Sequence, residues 1–193
     1  MKKIVATLFS LTIFLVNLSA QTDRPVRRQS IGFSAIINDF ATAQRIRSSS
    51  LSSVLKDKQF AKSEGFAYGF AVNYIKGLTP HIDLAATAGA TFSTSPGFAG
   101  REKTREKALL ELDASGHFKM FPEKTTFNPY LIAGVGVSKY TNVYGAILPL
   151  GGGVKLNIFD EAELHTQFQY RIPITPEANN YHFQFSFGIS GLF

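Results

Sequence analysis

The last thirteen residues of the chain alternate between large apolar and polar positions, with one interruption at Gly191. A period of two residues predicts a β-strand with one apolar and one polar face. Several of the apolar positions are aromatic, which favours a strand that faces lipid on one side and a polar lumen on the other. The residues of the apolar set are Tyr181, Phe183, Phe185, Phe187, Ile189 and Phe193.

The same period recurs along the chain and predicts an eight-stranded protein. Short turns are predicted at 76–80, 122–126 and 159–161, whereas 38–63 and 93–107 are longer polar connections. Part of the first, residues 50–62, is predicted to form a helical turn or two. The connection at 141–142 is short, and that at 175–180 is intermediate. An even number of strands in an up-and-down meander closes without an unpaired edge. The predicted strands cover residues 30–37, 66–74, 82–92, 108–120, 128–140, 144–158, 163–172 and 181–193.

The first twenty residues have the three regions of a secretory signal peptide. Lys2 and Lys3 precede an apolar run over 4–16, and the small residues of 17–20 follow it. This order predicts cleavage after Ala20 and a mature domain at 21–193. A single membrane anchor is the weaker alternative, because the run is shorter than the about 20 apolar residues of a spanning helix. No other segment approaches that length, so a mature chain within a membrane must be a barrel.

Composition excludes several kinds of chemistry. The chain contains no cysteine, which rules out disulfides, a thiolate nucleophile, a cysteine metal site and a lipoprotein anchor. The net charge of +6 is spread along the chain, so it does not indicate nucleic-acid binding. We expect no cofactor and no metal site.

Three further segments are informative: the Asn-Pro-Tyr-Leu-Ile-Ala-Gly-Val-Gly-Val run at 128–137, the glycine-rich 150–155 and the C-terminal Phe193. They resemble the small eight-stranded outer-membrane barrels, the family that includes the N-terminal domain of OmpA-like proteins. The style of the sequence in these segments is similar to that of barrels from Bacteroidetes. The resemblance implies an all-β, eight-stranded antiparallel up-and-down transmembrane β-barrel in the bacterial outer membrane. It also implies a monomer placed there by the barrel assembly machinery, which would read the terminal apolar set as its signal. No peptidoglycan-binding domain is expected after the barrel.

The polar faces of the predicted strands carry charged residues that would point into the lumen. The lumen of eight strands holds only side chains or one small ligand, so we expect these charges to pair with one another. A narrow ion path and a hidden active site are the alternatives. The predicted lumen residues are Asp83, Glu111, Asp113, His117, Lys119, Lys155, Glu163, His165 and Arg171.

Some barrels of this size are lipid A modifying acyl hydrolases or acyltransferases, so an enzyme is one alternative. His165 and Glu163 share a face of one predicted strand, and Ser186 lies on the next. A serine hydrolase needs these three residue types in contact. Their predicted position inside the lumen does not suit a lipid substrate, and no family motif matches. We therefore expect no catalytic residues.

The two long connections are basic and would lie near the phosphates of outer-leaflet lipopolysaccharide. Lysine and arginine there could bind phosphate groups, and ordinary solvated loop charge is the alternative. The candidate contacts are Arg45, Arg47, Lys56, Lys58, Lys62, Arg101, Lys103 and Arg105.

Three functions remain open from the sequence. The favoured one is a structural or interaction barrel that stabilises the outer membrane or presents its loops to a partner. The second is a narrow transport pore. The third, a soluble lipocalin-like barrel, requires the apolar faces to point inward.

Overall fold

A computed structural model describes residues 28–63, 66–93, 107–122, 125–140, 143–159, 161–175 and 181–193. Within these ranges the chain forms a closed barrel of eight antiparallel strands in sequence order. The elements are β1 (Gln29–Asp39), α1 (Phe40–Ser48), α2 (Leu51–Lys56), β2 (Phe66–Thr79), β3 (Ile82–Ser93), β4 (Lys107–Lys119), β5 (Phe127–Tyr140), β6 (Val143–Phe159), β7 (Ala162–Pro173) and β8 (His182–Leu192). The predicted signal peptide lies outside the described residues.

Pairing of the first and last strands closes the barrel. β1 is antiparallel to β8 from the Ser30–Leu192 pair to the Asp39–Phe183 pair, and it pairs with β2 on its other side. The backbone of Gln29 and Phe193 continues this ladder, since Phe193 N donates to Gln29 O at 2.9 Å. We call this the terminal end of the barrel, and the end that carries α1 the helix end. The predicted fold, an eight-stranded antiparallel barrel, is confirmed.

The apolar faces of the strands point outward. Phe33 is 55% exposed and Val135 is 61% exposed, and the polar residues between such positions are buried. This is the reverse of the arrangement that a soluble lipocalin-like barrel requires. Because successive side chains of a strand alternate between faces, the two-residue period of the sequence shows which residues share the outward face and which share the inward one.

The prediction of a turn at 76–80 is wrong in detail. β2 continues to Thr79, so that only Pro80 and His81 separate it from β3. The register shifts between Gly77 and Thr79, which indicates a bulge where the sequence suggested the turn itself.

The connection at 38–63 is more ordered than a surface loop. β1 extends to Asp39, whose side chain accepts a hydrogen bond from Thr42 N and caps α1. Ser50 caps α2 in the same way, with Ser53 N as the donor. Phe40 at the start of α1 is buried, so the connection supplies part of the interior. Within the described ranges, no helix is long and apolar enough to cross a membrane.

Candidate functional site

All nine predicted lumen residues point into the barrel, where they are only 1–6% exposed. Seven of them form two ionic clusters, one at each end, whereas His117 and His165 contact serine hydroxyls. Since charged groups removed from water are stable only when paired and hydrogen-bonded, the pairing within each cluster decides what the interior can do.

The terminal-end cluster is centred on Asp83 of β3. One carboxylate oxygen accepts from Lys119 Nζ at 2.6 Å, and the other accepts from Lys155 Nζ at 3.0 Å. Lys155 also lies 3.6 Å from Glu163 Oε1. Because Lys155 belongs to β6, its pair with Asp83 spans the lumen and ties two strands that are not neighbours in the sheet.

An aromatic pair lies beside this cluster. The rings of His117 and Tyr130 stack with centroids 4.8 Å apart. A Cβ atom at Gly153 would lie 2.7 Å from the Tyr130 hydroxyl oxygen, so glycine at this position of β6 leaves the space that the tyrosine ring occupies. The glycine-rich segment therefore has a packing role inside the barrel.

The helix-end cluster is centred on Arg171 of β7. Its guanidinium lies 2.9 Å from Asp113 Oδ2 and 3.3 Å from Glu111 Oε2, both on β4. Gln169 Oε1 accepts a further hydrogen bond from it at 3.2 Å. His182 Nε2 lies 3.6 Å from the other oxygen of Glu111. Arg171 thus ties β7 to β4 across the lumen, as Lys155 ties β6 to β3 at the other end.

A small apolar group packs against the helix-end cluster through Phe40. The ring of Phe40 lies 4.6 Å from that of His182 and packs with Ala67 and Leu109, with Tyr140 against them. Sequence reasoning missed Phe40 and also the buried Asp39 and His182. Asp39 and Ser50, two residue types that favour helix N-caps, were the available signal for the helices.

The residues of the suggested catalytic triad do not come together. The hydroxyls within hydrogen-bonding distance of His165 belong to Ser34, at 2.9 Å from Nε2, and to Ser190, at 3.3 Å from Nδ1. Ser186 donates instead to Gln167, at 3.4 Å. Both serines beside His165 are themselves buried, so this histidine is part of an internal hydrogen-bond network. Among the described residues, no cluster of three or more His, Asp or Glu side chains is arranged to hold a metal ion.

The basic residues of the 38–63 connection divide into two groups. Arg45 donates to Gln59 O at 3.0 Å, and the Arg47 guanidinium lies 3.8 Å from the centroid of the Tyr181 ring, so both have structural contacts. The other three, Lys56, Lys58 and Lys62, are exposed. The remaining candidate contacts, Arg101, Lys103 and Arg105, lie outside the described residues.

The outward face of β8 begins in an aromatic stack. Phe183 lies 5.3 Å from Phe168, 4.9 Å from Tyr170 and 5.9 Å from Phe60 between ring centroids. The predicted apolar set therefore splits in two. Tyr181, Phe183 and Phe185 are partly covered by such contacts, whereas Phe187, Ile189 and Phe193 are exposed.

The fold and this interior define a class of structure: a closed eight-stranded barrel, apolar outside and charged inside. Three solved structures of outer-membrane barrel proteins share the fold. The N-terminal barrel domain of OprF from Pseudomonas aeruginosa is 14% identical with a TM-score of 0.50, and the match covers 85% of this chain and 97% of that one. Ail of Yersinia pestis, solved with the heparin analogue sucrose octasulfate, is 12% identical with a TM-score of 0.53 and coverages of 86% and 99%.

Neisserial surface protein A, the third of these structures, is 14% identical with a TM-score of 0.52, over 86% of this chain and 97% of that one. No protein-family model matches the chain, and no curated protein sequence matches it. The similarity therefore concerns the fold.

Proposed function

We propose that the chain is a monomeric, non-enzymatic β-barrel of the bacterial outer membrane, OmpA-like in its barrel, with a structural or interaction role. The observation that carries this proposal is the polarity of the two faces. Residues such as Phe33 and Phe187 are more than half exposed while Arg171 and Asp83 are only 1% exposed. Lipid around the barrel would cover the apolar face, whereas in water the same face would be a large exposed apolar surface.

The closed interior favours a structural role over transport. A water-filled path would leave the side chains that line it accessible, yet Lys119 and Lys155 at the terminal end are each only 6% exposed. At the helix end, the Phe40 ring packs against His182 of the second cluster. The same burial argues against catalysis, because a lipid or a soluble substrate would have no access to His165.

The outer rim gives the barrel its candidate interaction surface. With the terminal end in the periplasm, α1 and α2 would lie at the outer surface, and Lys56, Lys58 and Lys62 would meet the phosphates of lipopolysaccharide. Changing all three to glutamine should weaken binding of the folded protein to lipid A vesicles. Unchanged binding would assign these lysines to ordinary loop solvation.

Localisation follows the same proposal. We propose that the signal peptide is removed after Ala20 and that the barrel assembly machinery recognises the terminal strand through the apolar set ending at Phe193. Both steps would deliver the barrel to the outer membrane with its termini inside the periplasm.

The testing experiment is a gel of the outer-membrane fraction with and without boiling, followed by conductance in a planar bilayer. We expect a heat-dependent change in migration and no unitary conductance. Recovery of the protein from the periplasm or medium would refute the membrane location. Steady unitary currents, altered by Lys155→Gln, would refute the closed interior and make transport the leading function.

A further inference from the structure

A groove of about 400 Å³ lies on the outward wall of the barrel, and its lining runs from Phe70 on β2 across β3, β4 and β5 to Tyr144 on β6. The register explains it. Ala90 lies between Phe70 on β2 and Leu110 on β4, and Ala88 lies between Val72 and Leu112 in the next outward row. Each row therefore has a small side chain between two larger ones, which leaves a depression with apolar walls.

A basic group stands at the edge of the groove nearest the helix end. Lys139 belongs to its lining and pairs with Leu110 on one side and Tyr144 on the other. Its Nζ lies 5.1 Å from the centroid of the Tyr144 ring. Since β5 ends at Tyr140, this amine lies one residue from the end of the strand, where a barrel in a bilayer meets the headgroups.

We propose that the groove binds one acyl chain of an anionic lipid of the leaflet at the helix end, with a headgroup phosphate of that lipid beside the Lys139 ammonium; phosphatidylglycerol is the probe for it. The inference rests on the proposed membrane location. A flexible chain can fill the depression between Phe70 and Leu112, where a gap would forfeit van der Waals contact. The phosphate is attracted to the Lys139 ammonium. A zwitterionic lipid is attracted less strongly, because its own ammonium group repels Lys139.

A second copy of the barrel fits this surface less well. A two-fold axis through the groove would set one depression against another and leave the space above Ala88 and Ala90 unfilled. It would also bring two Lys139 side chains of like charge towards each other. The concave shape and the charge at its edge both favour lipid.

Native mass spectrometry tests the proposal on the full mature barrel. The protein is reconstituted in vesicles of equal parts phosphatidylglycerol and phosphatidylcholine with the same acyl chains, then released in a mild detergent. We expect one retained lipid, mostly phosphatidylglycerol. Ala88→Phe should reduce retention of either lipid roughly tenfold, because the added ring takes the space of the acyl chain and about ten of its carbon–carbon contacts are lost. Lys139→Gln should reduce the preference for phosphatidylglycerol roughly fivefold.

The matched controls are two outward positions that do not line the groove. They are Ala133→Phe, on β5, and Lys76→Gln, near the terminal end. Both should behave as the unchanged protein. Each variant is first tested for its heat-dependent migration, and Ala88→Leu replaces Ala88→Phe if that variant does not fold.

The outcomes separate the two proposals. A chain that does not enter the vesicles at all refutes the membrane location and the groove with it. A chain that enters normally but retains lipid equally in Ala88→Phe and Ala133→Phe refutes the groove alone, as does a phosphatidylglycerol preference that survives Lys139→Gln. A dimer that Ala88→Phe dissociates would assign the surface to a second copy.

Discussion

Replacing Arg171 with methionine should strongly destabilise the barrel. The guanidinium is the cation between Asp113, at 2.9 Å, and Glu111, at 3.3 Å, and its side chain is 1% exposed. Methionine occupies similar space but leaves the two carboxylates facing each other without it. Breaking a buried ion pair by removing one partner costs about 3–5 kcal/mol, because the remaining charge is buried without compensation.

The effect should reverse when the stranded charges are also removed. Arg171→Met combined with Glu111→Met and Asp113→Leu should recover most of the lost stability, since a buried ionic group replaced as a whole by apolar residues of similar volume is often neutral. Lys56→Met, at an exposed position of α2, should change the free energy of unfolding by less than about 0.5 kcal/mol. It provides the control for loss of a positive charge.

The assay is reversible urea unfolding in phosphatidylcholine vesicles, with the folded fraction read from unboiled gels. The free energy of unfolding of the Arg171→Met variant should fall well below that of the unchanged protein. A value within about 0.5 kcal/mol of the unchanged protein would refute the role of this cluster. A triple variant no more stable than the single one would show that loss of packing, and not unpaired charge, caused the effect.

Three further substitutions test other surfaces. Phe187→Arg should cost about 2–4 kcal/mol in the same urea assay if the residue faces lipid near the midplane, whereas Phe187→Leu should cost little; an equally mild arginine variant would place this face away from lipid. Phe40→Ala should cost about 3–5 kcal/mol in that assay, because its ring is buried at the helix end, and a loss no larger than that of the exposed Leu51→Ala would contradict the packing. Phe193→Ser should lower the yield of heat-modifiable protein in the outer-membrane fraction, and normal yield would count against the terminal signal.

The inward and outward faces could be predicted from the sequence because they depend on local parity. On β4, Glu111 and Asp113 alternate with Leu110 and Leu112, so one assignment of the face fixes all four positions. The same rule places Lys155 and Arg171 inside before any pairing is known. Strand identity and side-chain direction are thus readable wherever alternation is unbroken.

The partners of those charges could not be predicted, since they depend on the stagger of the closed barrel. Asp83 meets Lys119, on the neighbouring strand, and Lys155, on a strand across the lumen. The sequence contains nothing that selects these two lysines over Arg171 as partners of Asp83. The helix-end packing was missed for another reason: Phe40 begins a segment without alternation, where burial results from α1 packing against β8.

The β1–β8 seam differs from every other strand pair in the sequence separation of the residues that it joins. Seven neighbouring pairs join strands that are consecutive in the chain, so each can form between segments that are closer in sequence than β1 and β8. The seam instead joins residues such as Phe33 and Ile189, and bringing such distant segments together carries the largest loop-closure entropy of any pair. A sheet that has not yet closed keeps two edges with unpaired backbone N–H and C=O groups, which are not tolerated in hydrocarbon. Closure of this seam should therefore be the late, rate-limiting event of folding, and the barrel should appear in one cooperative step.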